Sequence, residues 1–203
     1  MVFDLIEAFV KEFDGSDHNA HGDDWGYGWI HYALIRLTRP ENVLCVGSRF
    51  GFVPAVCGLA VKHNKKGSVH FVDLNLDKGK IGKAAYGGEG YWKQGFNPFS
   101  PYSLPVEIFI EDSVSLMERL PQKYSYIYLD GDHSYEGIKR DYEAAMKKVQ
   151  RPCFIVLHDV NVPENHEGFN FGIQRFWEEI KEAKIKLDGF PGLGIIYVGN
   201  NND

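Results

Sequence analysis

No apolar run in this chain approaches the roughly 20 residues needed to cross a bilayer, so a membrane is not expected as a partner. The first residues, Met1 to Phe13, lack the basic start and apolar middle of a secretory signal, because Asp4, Glu7, Lys11 and Glu12 interrupt them. Cysteine is scarce. Cys45, Cys57 and Cys153 are odd in number, have no Cys-x-x-Cys spacing, and sit in apolar runs. They read as reduced core thiols of a cytoplasmic protein. Basic charge is also short: 22 Lys and Arg against 28 Asp and Glu leave a formal charge of −6. That sign disfavours a nucleic-acid partner, which selects a basic footprint. What remains is a chain of 203 residues, 44% hydrophobic and 25% charged, suited to one globular domain.

The order of elements is readable from periodicity. Phe3, Ile6, Ala8, Phe9, Val10 and Phe13 give a helical face, and a second helix is expected from about Trp25 to Leu37, stopped by Pro40. Short, continuously apolar runs then follow at 43–46, 69–72, 106–110, 126–129 and 154–157. Helical patterns lie between several of them: after Gly51, after Glu111, and through Tyr135, Ile138, Tyr142, Met146 and Val149. Continuous strands alternating with helices imply an α/β fold with a mostly parallel, doubly wound sheet buried on both faces. Residues 185–187 and 195–198 flank a turn too short for a parallel crossover, so they are expected to close the sheet as an antiparallel hairpin. No internal repeat and no domain boundary is visible. Residues 74–105 break the alternation, with six glycines and six aromatics (Tyr86, Tyr91, Trp92, Phe96, Phe99 and Tyr102). Such an insert either stacks an acceptor through Trp92, Tyr91 or Tyr86, or packs against another subunit of a homo-oligomer.

In sheets of this kind ligands bind beyond the carboxyl ends of the strands. Gly47-Ser48-Arg49-Phe50-Gly51 follows the first strand, where glycines bring amides close to a ligand at a helix N-terminus. Asp73 follows the second strand, 22 residues beyond Gly51, a distance suited to a carboxylate that accepts from a ribose. Asp112 and Ser113 follow the third strand, and either caps a helix or meets an adenine amino group. Asp130-Gly131-Asp132-His133 follows the fourth, carrying an imidazole suited to proton transfer at neutral pH. His158-Asp159-Val160-Asn161 follows the fifth. If strands four and five are neighbours, Asp130, His158 and Asp159 can meet on one divalent cation. Mn, Fe or Zn fits that ligand set, while Mg prefers oxygen alone. Alternatively Asp159 orients a histidine. The polar run from Asp17 to Asp24 reads as a solvated cap before the second helix, with a lid over the ligand as the sharper alternative.

Taken together these residues resemble the class I methyltransferases that use S-adenosylmethionine. Residues 43–51 look like their first motif, Val72-Asp73 like their second, and Glu111-Asp112-Ser113 like the segment that holds adenine. Leu129 to Gly137 with Val156-Leu157-His158-Asp159 resembles the branch of macrocin-type sugar O-methyltransferases and cephalosporin-hydroxylase-like proteins. The resemblance covers about residues 40–200 outside the insert at 74–105 and implies a Rossmann-like seven-stranded sheet. Length and periodicity give a single domain over 1–203 in which residues 1–39 form N-terminal helices, with a lid as an alternative use of that segment. The resemblance also implies cofactor contacts at Gly47, Ser48, Arg49, Gly51, Asp73, Asp112, Ser113 and Asp130, and a cation (Mg, Mn, Fe or Zn) on Asp130, His158 and Asp159. His133 or Asp132 would take a proton from a hydroxyl of a small-molecule or sugar acceptor. Cys45 stands where the first motif opens with an acid, and Arg49 where it has a glycine, so Arg49 is a candidate for the methionine carboxylate. Two other functions remain open at this point. One is an NAD(P)-dependent oxidoreductase on the same sheet, although the glycine spacing is not Gly-x-Gly-x-x-Gly. The other is a non-catalytic cofactor-binding or scaffold protein.

Overall fold

The computed structural model describes residues 2–9, 19, 20, 24–74, 92, 95–168 and 170–200. Seven strands make one sheet: β1 Asn42–Val46, β2 Ser68–Asp73, β3 Val106–Ile110, β4 Tyr124–Leu129, β5 Val149–His158, β6 Ala183–Leu187 and β7 Leu193–Val198. Their order is β3-β2-β1-β4-β5-β7-β6. Strands β1 to β5 pair in parallel, and β7 runs antiparallel to both β5 and β6. The expected Rossmann-like α/β sheet with its closing hairpin is therefore the fold, and strand order reverses between β1 and β4.

The continuous apolar runs become central strands because both faces are covered. Along β1, Val43 and Cys45 join one buried cluster while Leu44 and Val46 join the other. Helices α1 Val2–Phe9, α2 Gly28–Thr38 and α3 Phe52–Asn64 lie on the first side. Helices α4 Ser113–Arg119, α5 Tyr135–Lys147 and α6 Ile173–Glu179 lie on the second. All three cysteines are free and buried. No helix among the described residues is long and apolar enough to cross a membrane.

Two helix boundaries and one whole helix differ from expectation. Helix α2 starts at Gly28 instead of Trp25, because Trp25-Gly26-Tyr27 forms a turn closed by the Gly28 amide on the Trp25 carbonyl, 2.8 Å away. The spacing that would carry α5 through Val149 stops at Lys147, and Val149 begins β5 opposite Tyr124. Helix α6 is not among the expected elements. At seven residues it shows only the triplet Ile173, Phe176 and Trp177 on its buried side, too short a signal for periodicity.

Candidate functional site

The turn after β1 is built around a close approach of two strand ends. The Gly47 amide bonds the Val72 carbonyl at 2.9 Å, and the Asp130 amide bonds the Val46 carbonyl at 2.8 Å. Gly47 has φ of +67°, and a Cβ there would lie 2.1 Å from the Asp130 carbonyl oxygen. Only glycine lets the β1 and β4 tips meet this closely, at the position where strand order reverses. Ser48 is buried, and its carbonyl accepts from the Gly51 amide at 2.7 Å. Arg49 is held at φ +45° with its guanidinium 4.8 Å from the Phe50 ring.

The insert reaches this turn. The Trp92 indole N–H donates to the Arg49 carbonyl at 3.0 Å, and a Cβ on Gly51 would meet the Trp92 ring at 2.7 Å. Trp92 stacks on Phe99 and sits edge-on to Phe71, fully inside the core. The expectation that Trp92 stacks an acceptor is corrected here: its faces are taken by the protein. Tyr86 and Tyr91 lie outside the described residues.

Around the rim, Asp73 ends β2, half-buried. Asp112 caps α4, accepting from the Ser115 amide at 2.9 Å and hydroxyl at 3.1 Å, and pairs with Arg140 at 3.1 Å. Burial pushes its carboxyl up, but the Ser115 donors and the Arg140 charge outweigh that, and the net shift is downward. Ser113 is buried and donates to Asp141 at 2.7 Å. Asp112 thus has the capping role foreseen as the plainer alternative, whereas Ser113 opens the helix and ties it to Asp141. Each keeps acceptor capacity, since a carboxylate offers about four lone-pair sites and a hydroxyl two.

The tips of β4 and β5 lie side by side because Leu129 pairs with Leu157. His133 Nε2 is 3.3 Å from Asp130 Oδ1, and its Nδ1 is 3.5 Å from Asp159 Oδ2. His158 Nδ1 is 3.0 Å from Asp159 Oδ1 and 3.6 Å from Asp130 Oδ1. Two carboxylates are therefore bracketed by two imidazoles, one at the floor (His158, buried) and one at the mouth (His133, partly exposed). Asp130, His133 and Asp159 each offer a ligating atom, all within 4.8 Å of one another. The imidazole in that converging set is His133, expected as a base, and not His158, expected as a ligand, which lies against the same two carboxylates. Asp159 holds φ of +62°, a conformation that costs a non-glycine residue on the order of 1 kcal/mol or more. Burial would lower the His133 imidazole. The hydrogen bond to Asp130 and the charges of Asp159 and Asp130 overcome it, and the group is raised above 6.5. Asp132 faces elsewhere: its Oδ1 accepts from the Ser134 amide at 2.9 Å, at the start of α5.

Rings wall the mouth. Phe171 stacks on His133 with centroids 5.1 Å apart, and His166 lies 5.2 Å from Phe190. Asn161 pins the hairpin turn here, its amide donating to the Gly189 carbonyl at 2.8 Å.

Beneath the carboxylates lies a polar layer that no motif predicted. Tyr126 and Tyr128 are fully buried, and buried hydroxyls demand partners. Tyr126 Oη is 2.6 Å from His31 Nδ1, and His31 Nε2 is 3.4 Å from Asn19 Oδ1. Asn19 Nδ2 donates to Tyr128 Oη at 3.2 Å, and Tyr128 donates to Asp130 Oδ2 at 2.7 Å. Burial, aided by the charge of His158, pushes the His31 imidazole down to about 3, so the ring is neutral. Asn19 belongs to the polar run 17–24 and is buried, not solvated. Asp24, in the same run, caps the approach to α2 by accepting from the Gly26 amide at 2.8 Å. Asp17, His18, His21, Gly22 and Asp23 lie outside the described residues.

Comparison with known proteins bears on the family and the fold. Residues 44–160 match a family model described as a methyltransferase domain. A curated protein of Sinorhizobium fredii, y4gI, described as uncharacterized, is 26% identical over 174 residues, covering 82% of this chain. The chain spans only 18% of that relative's length. Among solved structures, the O-methyltransferase TomG from Streptomyces achromogenes, in complex with SAM, superposes with TM-score 0.65 at 16% identity. That superposition covers 97% of this chain and 89% of TomG. An O-methyltransferase from Bacillus cereus in complex with SAH gives TM-score 0.62 at 16% identity, covering 96% and 90%. At such identities the likeness is one of fold.

Proposed function

The chain belongs to the methyltransferase-domain family, and from that premise we propose that it moves the methyl group of S-adenosylmethionine to a hydroxyl of a small-molecule or sugar acceptor, assisted by a divalent cation. The observation that carries the reading is the cluster Asp130, His133, His158 and Asp159, set beside the glycine turn where strand order reverses. Family membership favours methyl transfer over the oxidoreductase alternative, and the clustered acids and imidazoles favour catalysis over a scaffold. The macrocin-type branch rests on the residues 129–137 and 156–159 alone. The buried free thiols support a reducing, cytoplasmic setting.

In this reading the turn 47–51 receives the amino-acid end of the cofactor, with Arg49 available to its carboxylate. Asp73 would accept from the ribose hydroxyls, Asp112 and Ser113 would border the adenine, and Asp130 would complete the cofactor contacts. The cofactor supplies an activated methyl carbon whose leaving group is a neutral thioether. The donor set fits a cation: hard carboxylates and imidazoles that converge suit Mn, Fe or Zn, and Mg through the oxygens. Asp130, Asp159 and His158 would hold it from the floor, and a cation there lowers the pKa of a hydroxyl brought beside it.

His133, at the mouth, takes the acceptor hydroxyl proton on its ring nitrogen as the oxygen forms its bond to the methyl carbon. We prefer it to Asp132, whose carboxylate already serves the Ser134 amide. Asp130 and Asp159 then stabilise the imidazolium. Phe171 fixes the ring plane by stacking on it.

The test is titration of the full chain with S-adenosylhomocysteine, followed by transfer of a labelled methyl group to sugar and phenolic hydroxyls. S-adenosylhomocysteine should raise the melting temperature where NAD does not, and chelation should reduce turnover. Absence of any S-adenosylhomocysteine binding defeats the proposal. Turnover that survives prolonged chelation removes the cation and leaves the transfer.

A further inference from the structure

The polar layer under the site runs in one direction. Asp130 as a carboxylate only accepts, so the Tyr128 proton must point to it. With that proton committed, Tyr128 takes a donor, and Asn19 supplies one from Nδ2. The Asn19 amide therefore presents its carbonyl oxygen to His31, which must donate from Nε2. A neutral ring protonated at Nε2 leaves Nδ1 bare, and the Tyr126 hydroxyl donates to it. Each link forces the next. Every donor points toward the carboxylate, the arrangement in which successive hydrogen bonds polarise one another.

We propose that Tyr126, His31, Asn19 and Tyr128 form a one-way hydrogen-bond chain that holds Asp130 by Oδ2 and turns its Oδ1 toward His133 and His158. Tyr128, Asn19 and His31 are thereby positioning residues for the site. The proposal rests on the reading of Asp130 as the functional carboxylate. Its reach is long: α2 and residue 19, far from the motifs in sequence, set the orientation of one oxygen at the end of β4. It also explains why two tyrosines and a histidine occupy places where a plain core would carry apolar side chains. A fully satisfied buried network fixes one geometry, whereas a broken one leaves a polar atom unpaired.

Substitution at the links tests this. Tyr128→Phe keeps the ring and removes the last donor. Asn19→Asp keeps an acceptor for His31 but gives Tyr128 a second carboxylate to bond, so the hydroxyl survives while its proton is drawn away from Asp130. Tyr32→Phe, which removes a hydroxyl bonded to His63, is the control. Mn(II) affinity of the full chain, measured by calorimetry, should fall about ten- to a hundredfold in both Tyr128→Phe and Asn19→Asp. It should stay unchanged in Tyr32→Phe. Wild-type affinity in folded Tyr128→Phe or Asn19→Asp overturns the proposal.

Two further measurements do not depend on metal. The ¹⁵N spectrum of His31 should show the Nε2–H tautomer, and the Nδ1–H tautomer overturns the chain. A crystal structure of Tyr128→Phe should show the Asp130 carboxylate rotated, and a retained orientation overturns it. If the wild type takes up no Mn(II), the cation assistance proposed above fails on its own, and these two results decide the chain.

Discussion

His31 makes stability depend on pH in a way the structure quantifies. Its ring is fully buried between Tyr126 and Asn19, and it takes up a proton only near pH 3. In the unfolded chain the same group titrates near 6.5. Between these values the unfolded state binds more protons, so stability rises with pH and is lost as pH falls below 6.5. From pH 7 to pH 5 the loss from this one residue is about 2 kcal/mol. That amounts to roughly 4–8 °C in melting temperature for a chain of this size.

Other groups titrate in the same range, so the informative quantity is a difference. His133 acts in the opposite sense: its raised pKa contributes stability that is fully present below 6.5 and is lost as pH rises through the folded value. His31→Gln removes the His31 titration while keeping one donor and one acceptor for the neighbours. Urea unfolding of both proteins at pH 7, 6 and 5 cancels everything they share. The wild type's advantage at pH 7 should shrink by about 2 kcal/mol at pH 5. A difference that stays constant with pH, or a His31 NMR titration with its midpoint near 6.5, refutes the reasoning.

The other predictions address the site and its frame. His133→Ala should lower methyl-transfer turnover by about 10²–10⁴-fold while leaving S-adenosylhomocysteine affinity within a few fold. His158→Ala should instead weaken metal uptake, and single-turnover assays with graded Mn(II) separate the two. Trp92→Phe deletes the indole bond to the Arg49 carbonyl and should cost about 1 kcal/mol of stability, with weaker S-adenosylhomocysteine binding by calorimetry. Gly47→Ala places a methyl 2.1 Å from the Asp130 carbonyl oxygen at a positive φ. It should destabilise by roughly 2 kcal/mol or more, read by urea unfolding.

Much of the frame was legible because it follows from periodicity and strand-end position. The five parallel strands, the hairpin and the residues after each strand are local signals, and sheet order brings them to one rim. Trp92 shows where local reading stops. An aromatic in a glycine-rich insert looks like a ligand platform, yet the Trp92 indole gives its N–H to the Arg49 carbonyl and packs its ring against Phe99 and Phe71. Glycine at 51, with no Cβ, leaves the space the indole fills. Asp112 and Ser113 show the reverse case, where the plain capping role was visible and the packing partners Arg140 and Asp141 were not. Those partners come from α5, distant in the chain.

The polar layer is not legible in hydrophobic patterning for a physical reason. In β4, Tyr126-Ile127-Tyr128-Leu129 reads as a continuous apolar run when each tyrosine is counted for its ring and its hydroxyl is ignored. Burial on both faces changes that, because a hydroxyl sealed from water costs on the order of 1–3 kcal/mol unless it is bonded. Tyr126 and Tyr128 are two residues apart and so share one face of the strand, the face covered by α2. A histidine on α2 in an otherwise apolar position is their natural complement. The signal was therefore present as a pairing rule: buried tyrosines at alternate strand positions ending in a carboxylate require donors and acceptors from the helix packed over them. Residue 31 satisfies that requirement, and Asn19 completes it.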